Sequence, residues 1–268
     1  MVLSNYLHTD GAKLYYEISG RGEPLVLLHA GIADHRMWKS QIDAFAKRYQ
    51  VITLDFRGYG KSILENGSFW HYEDVHSLIR HLGLNSANIL GCSLGGTVTL
   101  ELAIQHPEVV RKIVLLGPGL RGYKFTDELS LEKDKILDEL LALDRKEEVS
   151  ALLVDIWVVG LGRKRKDVQS EIKSFVKEMI LDNYEAVVER IAESKLGFDV
   201  IPRLNDIKAK TLVIVGEEDL PEVLTISEII TERIPQAKRT IIPNVAHMIN
   251  LEKGGHLVKE VLSFLSTN

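Results

Sequence analysis

Cysteine is almost absent from this 268-residue chain. Cys92 stands alone, so no internal disulfide can form and nothing points to an oxidising compartment. Proline is scarce at 7 residues, and hydrophobic and charged shares of 45% and 26% leave no room for a long disordered or low-complexity tract. No apolar run approaches the roughly 18 residues that span a bilayer. The opening MVLSNYLHTDGAK has no basic segment followed by an apolar one, so no secretory signal is expected. Cationic excess is missing too: Lys and Arg number 33 against 38 Asp and Glu, a net charge of -5, which argues against a nucleic-acid partner. No G-x-G-x-x-G follows the first strand, no G-x-x-x-x-G-K-[ST] occurs, and no Cys or His cluster has metal-ligand spacing. These absences predict a cytoplasmic globular protein with no cofactor, no metal, no membrane contact and a core large enough for an enzyme.

What is present is an alternation of short β-branched apolar runs and amphipathic stretches, the pattern of βα units feeding a mostly parallel sheet. Strands are predicted over 13–18, 24–29, 50–55, 88–92, 112–117, 211–216 and 238–243. LVLLH, VITLD, IVLLG and LVIVG are apolar on both faces, as strands covered by helices on each side must be. Helices are predicted over 38–48, 72–82, 94–105, 224–234 and 255–265. Residues 120–204 break the rhythm, with no strand-like run. Ile136, Leu137, Leu140 and Leu141 recur at helical spacing, as do Ile172, Phe175, Val176, Met179 and Ile180, then Tyr184, Val187, Val188 and Ile191. Between them, ALLVDIWVV (151–159) is apolar nearly all round and should lie packed between those helices and the main body. The stretch far exceeds the dozen residues that a crossover needs. The expected organisation is a core in two parts, 1–119 and 205–268, with a helical cap over 120–204.

The motif Gly91-Cys92-Ser93-Leu94-Gly95 follows an apolar strand and opens a helical pattern. Such a strand-to-helix turn holds a serine in strained backbone, with glycine on either side because a Cβ would clash, and the helix N-terminus favours a developing negative charge. Ser93 is therefore the candidate nucleophile. Three other segments end predicted strands: His29-Ala30-Gly31-Ile32 and Asp55-Phe56-Arg57-Gly58-Tyr59-Gly60-Lys61-Ser62 before the motif, and Gly216-Glu217-Glu218-Asp219-Leu220-Pro221 after it. Asn244-Val245-Ala246-His247-Met248 follows the last strand.

With these motifs the whole chain resembles the α/β-hydrolase superfamily, in its serine-nucleophile branch of carboxylesterases, enol-lactonases and C–C bond hydrolases. The resemblance implies an α/β-hydrolase fold and a catalytic triad. Ser93 attacks a carbonyl carbon, His247 is general base and then acid, and Asp219 orients the imidazole. The order Ser, Asp, His is that of this fold. Glu217 and Glu218 compete with Asp219, but the family pattern favours Asp219. The alternative acid position, after the preceding strand, reads Gly117-Pro118-Gly119 without a carboxylate. The oxyanion hole is implied to be the backbone N–H groups of Leu94 and Gly31, with Ala30 standing where relatives carry glycine. His29 and Arg57 read as structural, Cys92 as a small buried thiol, and Glu252-Lys253-Gly254-Gly255 as a helix start without the usual proline.

The leading expectation is a carboxylesterase-like enzyme cleaving a small ester or lactone. C–C bond hydrolysis or perhydrolysis could use the same triad, and a ligand receptor with negligible turnover is a reading from another class. Trp157 and Phe175 of the cap are candidates to line a pocket over Ser93, and a monomer or dimer is expected.

Overall fold

The computed structural model describes residues 2–65, 69–160, 162–193 and 199–267. Among the described residues nine strands form one sheet: β1 (Val2–Thr9), β2 (Ala12–Ser19), β3 (Glu23–Leu28), β4 (Tyr49–Leu54), β5 (Ile63–Leu64), β6 (Ala87–Cys92), β7 (Val110–Leu116), β8 (Lys210–Gly216) and β9 (Ala237–Ile242). The spatial order is β1-β2-β4-β3-β6-β7-β8-β9, with β5 beside β2. From β4 to β9 every pairing is parallel, and only the β1, β2 and β5 end is antiparallel. The all-apolar runs of β3, β6, β7 and β8 are the buried central strands, as their composition requires.

The helices are α1 (Lys39–Phe45), α2 (His71–His81), α3 (Leu94–Gln105), α4 (Glu128–Ala142), α5 (Lys146–Val154), α6 (Ser170–Asp182), α7 (Tyr184–Glu193), α8 (Pro221–Arg233), α9 (Ile249–Glu252) and α10 (Gly254–Leu265). Helix α2 shows the amphipathic logic: Tyr72, Val75, Leu78 and Ile79 face the core, and Glu73 and Asp74 sit in the first turn, where the helix dipole favours them. Helix α3 is buried on almost every side, against β6 and β7.

Three differences from the sequence expectation have simple causes. Strand β1 is an addition: it is an edge strand, with Val2 and Leu3 54% and 61% exposed and Leu7 its one buried residue, so it carries no alternating core pattern. Strand β5 is too short to leave a pattern. Helix α8 begins at Pro221, three residues before the predicted start, because proline at a first helical position needs no N–H partner.

Between β7 and β8 the described residues hold α4 to α7 and no strand. The 151–159 run is the end of α5 followed by a π-helical turn over Asp155–Val159, with Leu153, Val154, Ile156, Val158 and Val159 buried as expected. Val176, Met179, Ile180 and Val187 are buried on α6 and α7, and the side chain of Ile191 lies outside the described residues.

Candidate active site

Ser93 is the single residue between β6 and α3, at φ 52° and ψ −110°. A non-glycine residue with positive φ stores strain, of order 1–3 kcal/mol. The surroundings enforce it. A Cβ on Gly91 would strike the Gly95 carbonyl and the Thr99 hydroxyl, and one on Gly95 would strike the Leu28 backbone. Only glycine lets strand, turn and helix approach this closely. The Ser93 N–H donates to Leu116 O at 3.0 Å, and Ser93 O accepts from the N–H groups of Thr97 and Gly119 at 3.0 and 3.1 Å. Ser93 is thereby tied to the turn after β7.

The same turn touches His247. A Cβ built on Gly117, at φ +49°, would lie 2.9 Å from His247 Nδ1 and 3.2 Å from Asp219 Oδ2. His247, in the loop between β9 and α9, is 2% exposed, and its Nδ1–H donates to Asp219 Oδ2 at 2.8 Å. Asp219 Oδ1 accepts the Leu220 N–H at 2.9 Å, which holds the carboxylate in its loop after β8. Of the three adjacent acids, Asp219 is the one bonded to the imidazole; Glu217 instead accepts the Asn244 N–H at 3.2 Å. His247 Nε2 is buried with no hydrogen-bond partner, so its lone pair is uncommitted. The structure thus joins Asp219 and His247 directly, while Ser93 Oγ and His247 Nε2 form no hydrogen bond.

The Leu94 N–H, first in α3, and the Gly31 N–H donate to no described atom. The Gly31 carbonyl lies 3.1 Å from the Tyr59 hydroxyl, which is also 3.3 Å from Ala186 O of α7. His29 is fully buried. Its Nδ1–H donates to Ala30 O at 2.8 Å, and its Nε2 accepts the Phe56 N–H at 3.0 Å. Burial pushes the His29 pKa down, so the ring is a neutral brace between two loops. Arg57 grips Asp74 through two bonds of 2.7 Å and Asp10 O at 2.8 Å, a structural role. Cys92 is fully buried, and that burial, with the Asp219 charge adding, pushes its thiol pKa up. The thiol is not a reactive group at this site.

Trp157, a candidate for the pocket wall, and Arg163, which nothing in the sequence singles out, make long-range contacts here. The Trp157 ring lies 4.5 Å from that of His247. Arg163 donates to Val159 O and Val158 O at 2.8 Å, and grips both oxygens of Glu252 at 2.8 and 2.9 Å. Glu252 is therefore more than part of a helix start: it ties the π-helical turn to α9, beside the His247 loop. No periodicity could have signalled a pair 89 residues apart. A cavity of about 100 Å³ is lined by Trp157, Leu220, Phe125, Leu137, Leu153 and Ile156, among others. Phe175 is not on its walls; it packs half-buried against the main core.

The α/β hydrolase fold family matches residues 23–148. A candidate carbamate hydrolase of Azorhizobium caulinodans is 30% identical, the alignment covering 90% of this chain and 91% of that one. A 2-hydroxy-6-oxo-6-phenylhexa-2,4-dienoate hydrolase of Burkholderia cepacia is 27% identical over 95% and 91%. The solved structure of Est816, an N-acyl homoserine lactone degrading enzyme, superposes with a TM-score of 0.83 at 26% identity, covering 97% of this chain and all of that one. The chain belongs to the α/β hydrolase fold family. These relatives support a hydrolase. Among the described residues, no helix is long and apolar enough to cross a membrane.

Proposed function

We propose that this chain is a serine hydrolase that cleaves a small carboxylic ester or lactone through an acyl-enzyme. The observation that carries the reading is the buried Asp219–His247 pair at 2.8 Å, whose free Nε2 belongs to the same cluster of turns as the strained Ser93. His247 Nε2 takes the Ser93 proton as Oγ attacks the carbonyl carbon, and returns it to the leaving oxygen. Asp219 holds the proton on Nδ1 and stabilises the imidazolium that forms. The N–H groups of Leu94 and Gly31 take the oxyanion, each worth roughly 3–4 kcal/mol in the transition state. Water then repeats the cycle on the acyl-enzyme.

Residues 120–204 act as the cap. The small cavity beside Trp157 and Leu220 has a mixed lining, with Lys133, Asp134 and Ser130 among the apolar side chains, and reaches the site through Trp157, whose ring lies 4.5 Å from that of His247. The test is labelling with a fluorophosphonate: wild type labels and Ser93→Ala does not, with kcat on p-nitrophenyl butyrate falling roughly 10⁴- to 10⁶-fold. Equal labelling of both proteins would remove Ser93 from its role. A single stable adduct without turnover would favour a receptor instead. The Burkholderia cepacia relative favours a second reading, C–C bond hydrolysis of a dienoate ring-cleavage product. Faster turnover of such a dienoate than of p-nitrophenyl acetate or butyrate would select it.

A further inference from the structure

A second group of chemically able side chains takes no part in this hydrolysis. Glu73 and His76 stand three residues apart in α2, and His106 follows the last residue of α3. Helical spacing puts the first two on one face, and the packing of α2 against α3 delivers the third. His106 Nε2 lies 3.1 Å from Glu73 Oε1, and His76 Nδ1 lies 3.8 Å from Glu73 Oε2. One ligand atom from each of the three residues falls within 4.8 Å of the others. The two imidazoles stack, with centroids 3.8 Å apart and planes 11° apart.

We propose that Glu73, His76 and His106 form a binding site for a divalent transition-metal ion of the zinc class. The donor set selects the ion: two imidazole nitrogens and one carboxylate oxygen suit Zn²⁺ and its neighbours, whereas Ca²⁺ and Mg²⁺ call for oxygen donors. The spacing also fits. Bonds of about 2.0–2.1 Å at tetrahedral angles separate neighbouring ligand atoms by roughly 3.3 Å. The contacts of 3.1 Å from His106 to Oε1 and 3.8 Å from His76 to Oε2 lie near that value, and the three ligand atoms fall within 4.8 Å of one another, so side-chain rotation can close the set. On the far side of His106, Glu108 Oε1 lies 3.8 Å from Nδ1, a carboxylate placed to orient the ring once Nε2 carries the ion. An entering ion would replace the proton that now joins Nε2 to Glu73, and the rings would splay from their stack by turning about χ2. The side chains of Glu73, His76 and His106 are 48%, 25% and 21% exposed, so the ion enters from solvent and water completes its shell.

The other His–carboxylate cluster, Asp34, His35 and Asp55, lacks this freedom. Asp55 already accepts the His35 N–H, His35 Nδ1–H and Lys61 N–H, and Asp34 is held by Arg36 and Asn183. An ion at Glu73, His76 and His106 would instead cross-link two helices and stabilise the folded chain in proportion to its occupancy.

Calorimetric titration of the EDTA-treated full chain with Zn²⁺ tests the site, together with Tm at matched zinc. Wild type should bind one Zn²⁺ per chain and melt higher with zinc. His76→Gln/His106→Gln should lose both effects, its own Tm in zinc-free buffer serving as its reference. Glu73→Gln, an exposed change that cannot disturb the core, should weaken binding at least tenfold and guards against misfolding of the double variant. Absence of saturable binding in wild type, or unchanged affinity in these variants, overturns the proposal.

Discussion

Replacing Gly117 with alanine should separate His247 from Asp219 while leaving the fold in place. Gly117 has φ +49°, and the added methyl would sit 2.9 Å from His247 Nδ1, 3.0 Å from Cε1 and 3.2 Å from Asp219 Oδ2. The left-handed backbone costs an L-residue about 1–2 kcal/mol. The contact adds to this, because atoms at 2.9 Å must withdraw by several tenths of an ångström and the only movable partners are the imidazole and the carboxylate. A misplacement of about 1 Å can cost about 100-fold in rate, so a shift of roughly half that should lower kcat at least tenfold. Gly83→Ala is the control: Gly83 has φ +66°, and a methyl there would meet nothing within 4 Å, so it carries the backbone cost alone. Thermal melts and steady-state kinetics on p-nitrophenyl butyrate report both effects. Both variants should lose Tm, and only Gly117→Ala should lose kcat. If Gly117→Ala keeps wild-type kcat while its Tm falls like that of Gly83→Ala, the packing argument for the pair is wrong.

Acid stability should depend on Asp34. Burial would raise its carboxyl, but hydrogen bonds from Arg36 and Asn183 outweigh this and hold its pKa at about 2 rather than 3.8. A lowered folded-state pKa stabilises above the unfolded value, so about 2 kcal/mol should be lost as pH falls from about 4 to 2. Denaturant melts across that range should show a shallower loss for Asp34→Asn, and equal slopes would contradict the assignment. Arg163→Gln leaves the part-buried Glu252 carboxylate, 9% exposed, without its partner, which should destabilise by about 1–3 kcal/mol in urea melts. Arg163→Met/Glu252→Met should recover much of that, and failure to do so would indicate a role beyond the ion pair. Cys92 is fully buried with a raised thiol pKa, so thiol reagents should modify it only as fast as the chain opens. Rapid labelling of the native protein would refute this.

Local pattern carried the central strands, because β3, β6, β7 and β8 are covered on both faces and their apolar runs have no other use. It also carried α3 and the elbow, where glycines around Ser93 leave a signature within five residues. Edge strand β1 was illegible for the opposite reason: solvent accepts almost any side chain there. The choice of Asp219 over its neighbours rested on family pattern until the 2.8 Å contact with His247 separated it from Glu217 and Glu218.

By itself, then, the sequence determined the alternation of strands and helices, the strained serine turn and the long helical stretch after β7. All of these are local, set by spacing and by backbone preference. Only the tertiary structure decided that Arg163 meets Glu252, that Trp157 lies over His247, that Gly117 must stay bare, and that Glu73, His76 and His106 converge. Those contacts join residues far apart in the chain, and no local free energy encodes them. They exist because burying the apolar faces of sheet and helices fixes, as a by-product, which polar side chains end up within reach of one another.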